Sequence, residues 1–126
     1  MKVKINVLII DDDEIVRDVF LRVLQKRENV KVFVAENGYE GIEILKRNPL
    51  HTIFLDLGLP DINGIETFKK IQRLNLNVIV TFMTASSNLS LEEKAKKIPN
   101  TQVVYKPLEI EEIYNIIDRN SQYRLN

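Results

Sequence analysis

Short apolar runs of strand length recur five times along this chain, and each is followed by a segment whose apolar residues fall at helical spacing. No other feature restricts the fold as much. The run "INVLII" (5–10) leads into residues 13–26, where Ile15, Val16, Val19, Phe20, Val23 and Leu24 mark one helical face. "VKVFVA" (30–35) precedes a short helix over 38–47 with Ile42 and Leu45 inward, ended near Asn48-Pro49. "TIFLDL" (52–57) is followed, after the turn "PDING", by Ile65, Phe68, Ile71 and Leu74 at helical spacing. "NVIVTFM" (77–83) precedes "SLEEKAKK", where Ser90 and Glu93 have capping-box spacing. "QVVY" (102–105) and a last helix around 109–119 complete the pattern.

Strands alternating with helices predict a parallel sheet covered on both faces. In such sheets ligands sit beyond the carboxyl ends of the strands, so the residues to weigh are those at the strand exits. They are Asp11, Asp12 and Asp13 after the first strand, Asp56 in the third, Thr84 after the fourth and Lys106 after the fifth. The fold carries all of them to one edge. At 126 residues the chain is most economically one domain. Its 18 basic and 18 acidic residues balance, which gives no reason to expect direct nucleic-acid or anionic-membrane binding. There is no cysteine, which excludes disulfides and thiolate metal sites. The apolar part of "MKVKINVLII" meets aspartates too soon for a signal peptide, and no run approaches membrane-spanning length. A soluble, cytoplasmic domain is the expectation.

Crowded carboxylates repel one another unless a cation compensates, and an all-oxygen acidic ligand set suits Mg²⁺. Asp56 lies within the apolar "IFLDLGL", where a carboxylate is expensive. A carboxylate beside Mg²⁺ is also a competent nucleophile towards phosphorus, forming an aspartyl phosphate. A lysine and a small hydroxyl would help neutralise the charge that develops in transfer, and Lys106 and Thr84 are the available pair. Each residue also has an ordinary role open to it. The aspartates could cap the first helix, with Asp11 and Glu14 at capping-box spacing. Asp56 could be a strand-end turn residue, Thr84 a strand or cap residue, and Lys106, before Pro107, a solvated lysine at a turn. His51, the single histidine, reads as a structural or exposed loop residue. Taken together, the positions favour the chemical reading.

The stretches "VLIIDDDE", "IFLDLGLPDINGIE", "FMTAS" and "YKPL", in this order and spacing, resemble the receiver domain of two-component response regulators. The resemblance covers nearly the whole chain. It implies a flavodoxin-like, doubly wound five-stranded parallel sheet of order 2-1-3-4-5 with five helices, and residues 1–126 as a single receiver domain. It implies that Asp12, Asp56 and the backbone carbonyl of Gly58 bind Mg²⁺ directly, with Asp11 acting largely through water. Asp56 would accept a phosphoryl group from a phosphohistidine on a sensor histidine kinase or phosphotransfer protein. Lys106 would pair with the phosphoryl oxygens, Thr84 would move to hydrogen-bond them, and the Lys106–Pro107 bond would be cis. The protein would be a phosphoacceptor that catalyses its own phosphorylation and dephosphorylation, not an enzyme acting on a separate substrate.

This sequence departs from the family pattern at several points. Val103 stands where receivers usually carry a switch aromatic, and Tyr105 sits beside the lysine instead. Gly58, two after the acceptor, and Ser86, two after Thr84, form a small pair at positions that tune autodephosphorylation in the family. "KIPNTQVVY" replaces the usual approach to the fifth strand, so the output partner is left open, as is the question of a stand-alone protein or a piece of a longer regulator. An atypical receiver acting as a phosphorylation-independent binding module is the alternative function. A haloacid-dehalogenase-like phosphatase uses similar groups, but it carries its nucleophile in a DxD motif on the first catalytic strand, whereas Asp56 lies on the third.

Overall fold

The computed structural model describes residues 4–74, 76–85 and 88–125, with side chains as far as Ser121. The strands are β1 (Ile5–Ile10), β2 (Val30–Ala35), β3 (Thr52–Asp56), β4 (Ile79–Thr84) and β5 (Gln102–Tyr105). The helices are α1 (Glu14–Leu24), α2 (Gly38–Arg47), α3 (Gly64–Arg73), α4 (Leu89–Lys96) and α5 (Ile110–Leu125). All strand pairs are parallel, in the order β2-β1-β3-β4-β5, as the resemblance implies.

Strand period sorts the core into two layers. Leu8, Ile10, Ile53, Leu55, Val80 and Phe82 face α2, α3 and α4, where they meet Ile42, Leu45, Ile65, Phe68, Ile71 and Ala95. The alternate positions Val7, Ile9, Phe54, Met83 and Val104 face α1 and α5, packing on Phe20, Val23, Leu24, Ile113, Ile116 and Ile117. One ring pair stitches each layer, Phe68–Phe82 at 5.4 Å between centroids and Phe20–Phe54 at 4.8 Å. Burying each such ring contributes roughly 1.5–3 kcal/mol. Every residue of β3 is buried, so Asp56 ends the most enclosed strand in the sheet.

Side chains at the helix starts set where the strand exits lead. Asp13 Oδ1 accepts from Ile15 N at 2.9 Å and opens α1, so the cap is Asp13 and not Asp11. Asn37 and Asn63 cap α2 and α3 in the same way. Asp61 adds a second cap to α2 from the β3–α3 loop, accepting from Gly38 N at 3.0 Å and Tyr39 N at 2.9 Å. The predicted Ser90–Glu93 box does not form: α4 begins two residues earlier than that box would set, with Asn88 at its N-cap. Glu92 is the residue that turns inward, accepting from the Tyr105 hydroxyl and pairing with Lys96 Nζ at 3.2 Å. β4 starts at Ile79, which is in register with Thr52 at the start of β3. α5 runs past the expected 109–119 to Leu125. His51 is structural: its Nδ1 accepts from Asn6 N at 2.8 Å, prolonging the ladder beside β1.

Candidate functional site

The strand exits are tied in pairs through the backbone, β1 to β2, β3 to β4 and β5 to β4. Asp11 N donates to Ala35 O at 3.1 Å, Leu57 N to Met83 O at 3.0 Å, and Lys106 N to Thr84 O at 2.9 Å. The peptide bond that follows, Lys106–Pro107, is cis, as expected. This ladder fixes the backbones of Asp11, Asp56, Thr84 and Lys106 before any side chain is considered.

Lys106 is the centre of the site. Its Nζ lies 2.7 Å from Asp11 Oδ2 and 3.2 Å from Asp56 Oδ1. Asp11 is fully buried, Asp56 is 6% exposed, and Asp12 stands exposed at the rim. One carboxylate oxygen from each of Asp11, Asp12 and Asp56 lies within 4.8 Å of the others. Asp11 Oδ1 accepts from Asp13 N at 2.9 Å. Its Oδ2 is buried and takes the Lys106 ammonium at 2.7 Å with no further hydrogen-bond donor, which leaves acceptor capacity unfilled. A buried oxygen of that kind, among three carboxylates, fits a hard divalent cation.

Burial pushes the Asp56 carboxyl above its ordinary value, the charge of Asp11 adds to the rise, and Lys106 offsets only part of it. Burial also works against the Lys106 ammonium, but its hydrogen bond to Asp11 and the charges of Asp56 and Asp11 outweigh that, and its pKa is raised. The lysine is thus firmly charged, and Asp56 is the group least well compensated.

Thr84 is buried at the end of β4, in register with Tyr105. Gly58 is exposed just past β3, and its N–H reaches Asp56 Oδ1 at 3.4 Å. Val103 is half-buried against the α2–α3–α4 layer, while Tyr105, on the same face of β5, binds Glu92. Ser86 lies outside the described residues. Sequence reasoning passed over Arg17 as a site residue. Its Nη1 donates to Asp11 O at 2.9 Å, and its Nη2 lies 3.7 Å from Glu36 Oε1. The available signal was its place on α1, one turn beyond the cap, facing back to the acids.

The family model for the response regulator receiver domain matches residues 7–118. The chain belongs to the response regulator receiver family. This receiver is 27% identical over 114 residues to the sporulation initiation phosphotransferase F of Bacillus subtilis, covering 90% of this chain and 91% of that one. It spans only 25%, 14% and 10% of the length of three other curated relatives. It is 30% identical, with a TM-score of 0.80, to a chain in the Saccharomyces cerevisiae complex of the histidine phosphotransfer protein Ypd1 with the receiver domain of the response regulator Ssk1. That match covers 93% of this chain and 88% of the other. The fold is shared with the CheY-like receiver domain protein of Methanospirillum hungatei, TM-score 0.80 at 22% identity, over 97% and 99% of the two chains. This is a receiver domain of the two-component type. Among the described residues no helix is long and apolar enough to cross a membrane.

Proposed function

We propose that Asp56 is the phosphoacceptor of this receiver, and that residues 1–126 act in the cytoplasm as a single switch module taking phosphate from a phosphohistidine. One contact carries the reading: Lys106 Nζ touches the acceptor carboxylate at 3.2 Å while anchored on buried Asp11 at 2.7 Å. A structural ion pair needs one acid; this lysine holds two, with a third oxygen nearby.

In the transfer, an Asp56 oxygen attacks phosphorus, the phosphorus–nitrogen bond breaks, and the imidazole leaves with the electron pair. Lys106 keeps its charge beside the incoming oxygens. The Thr84 hydroxyl, at the adjacent strand exit, would donate a further hydrogen bond. Asp11, Asp12 and Asp56, with the carbonyl of Gly58, would hold Mg²⁺, which when bound screens the acids and the phosphoryl oxygens from one another. The donor is a sensor histidine kinase or a histidine phosphotransfer protein, a reading supported by the Ypd1–Ssk1 relative. The receiver would promote both its own phosphorylation and its own dephosphorylation. The aspartyl phosphate then shifts the α4–β5–α5 face between two arrangements that partners distinguish.

The test is intact mass after incubation with acetyl phosphate, with and without Mg²⁺, on wild type and Asp56→Asn. One phosphoryl group gained only when both Mg²⁺ and Asp56 are present is the expected result. A folded protein that gains none would instead be a binding module whose acidic pocket is not used for transfer.

A further inference from the structure

We propose that Asn88 covers the mouth of the phosphorylation site and slows hydrolysis of the aspartyl phosphate. The inference rests on the assignment of Asp56 as acceptor. Asn88 sits at the N-cap of α4, yet its side chain makes no capping hydrogen bond, whereas Asp13, Asn37 and Asn63 all cap their helices. The Asn88 amide is directed across the loop instead. A Cβ built on Gly58 would lie 2.9 Å from Asn88 Nδ2, so the amide fills the space that a side chain at position 58 would occupy. Gly58 is also one hydrogen bond from the acceptor, its N–H reaching Asp56 Oδ1 at 3.4 Å. By sequence, glycine at this position leaves the site open to water. In the folded chain, a residue thirty positions further on closes that opening.

Hydrolysis requires a water oxygen to attack phosphorus while the bond from phosphorus to the Asp56 oxygen breaks. Asp56 leaves as carboxylate with the electron pair, and the water proton passes to the departing phosphate or to solvent. The attack is in line, so the water must enter from the side facing away from Asp56. Asp56 is 6% exposed at the end of its strand, and Gly58 and Asn88 are both exposed at the rim beside it. Bulk at Asn88 therefore narrows the route.

The experiment labels wild type, Asn88→Ala and Asn88→Leu with acetyl phosphate and Mg²⁺, removes the donor by rapid desalting, and follows loss of the phosphoryl mass. Asn88→Ala should label to the same extent and decay roughly three- to tenfold faster. Asn88→Leu, which keeps the bulk and lacks the amide, should decay within about twofold of wild type. Melting temperatures should agree within about 2 °C, because no cap bond is lost. An alanine variant that decays at the wild-type rate or more slowly overturns the proposal. So does a leucine variant as fast as alanine, because bulk would then not be the cause. Wild type that takes up no phosphate overturns the acceptor assignment and this proposal together; normal labelling with unchanged decay overturns this one alone.

Discussion

Gly64 begins α3 directly behind the exit of β3, and replacing it with alanine tests how tightly that strand is held. A Cβ at this position would stand 2.6 Å from the carbonyl oxygen of Asp56 and 2.8 Å from the Cα of Leu57. Both neighbours are backbone. They are pinned by Gly64 N donating to Leu57 O at 2.9 Å and Leu57 N donating to Met83 O at 3.0 Å, so neither can swing aside. Overpacking of this kind costs about 1–3 kcal/mol. The preference of a helix for alanine over glycine offsets at most about 1 kcal/mol of it. A net loss of about 1–2 kcal/mol follows, which in a domain of this size lowers the melting temperature by roughly 4–8 °C. The backbone that must yield belongs to Asp56, so its carboxylate also moves relative to Lys106. Labelling by acetyl phosphate should therefore slow by more than the unfolded fraction accounts for. Thermal melts by circular dichroism and initial labelling rates on the same preparation measure the two effects separately. A Gly64→Ala protein as stable as wild type would refute the reasoning, since the loop would then relax freely and the close approach would not be what requires glycine.

Two further outcomes follow from contacts outside the acidic cluster. Asp61→Ala removes the acceptor for two α2 N–H groups and should cost about 1 kcal/mol near neutral pH, measured by urea unfolding. Burial raises the Asp61 carboxyl, but the N–H groups of Tyr39 and Gly38 outweigh it and hold the pKa below its ordinary value. Its contribution is therefore full above the unfolded carboxylate pKa, and the gap between wild type and variant should shrink as the pH falls below about 4. Tyr105→Phe removes the hydroxyl that donates to Glu92, the main reason that carboxyl is held low, with Lys96 second. Hydrogen exchange should then quicken in α4 while phosphate uptake persists; unchanged protection would mean that this contact does not fasten α4 to β5.

What could be read from the sequence was whatever the backbone alone dictates. Once the strand-length runs were recognised as parallel, the exits of β1, β3, β4 and β5 had to share an edge. Asp11, Asp56, Thr84 and Lys106 came with them, whatever their neighbours. Choices between adjacent side chains were not legible. Asp11 and Asp13 both stand at cap-like spacing, and the decision goes to Asp13 because Asp11 is drawn beneath the surface by Lys106. Ser90 and Glu93 had the spacing of a capping box, but Glu92 finds the Tyr105 hydroxyl across the sheet edge, and the helix starts two residues earlier. Asn88 against Gly58 leaves no local periodicity to detect, because the contact joins two separate loops.

The charges at this edge explain why such a site occupies the end of the best-buried strand rather than a loop. Three carboxylates face one ammonium, and Asp11 and Asp56 are almost wholly shielded from water. Water would screen the same charges and weaken every one of their interactions. Buried, they stay strongly coupled, so a change in charge at Asp56 is felt by Lys106 and Asp11 at once. Lys106 is joined through its own backbone to Thr84 and through the preceding residue, Tyr105, to Glu92 on α4. A phosphoryl group on Asp56 would draw on Lys106 from one side of that chain of contacts, and α4 lies at the other. The missing aromatic at Val103 therefore does not leave the site isolated from the α4–β5 surface, because Tyr105 already spans the distance between them.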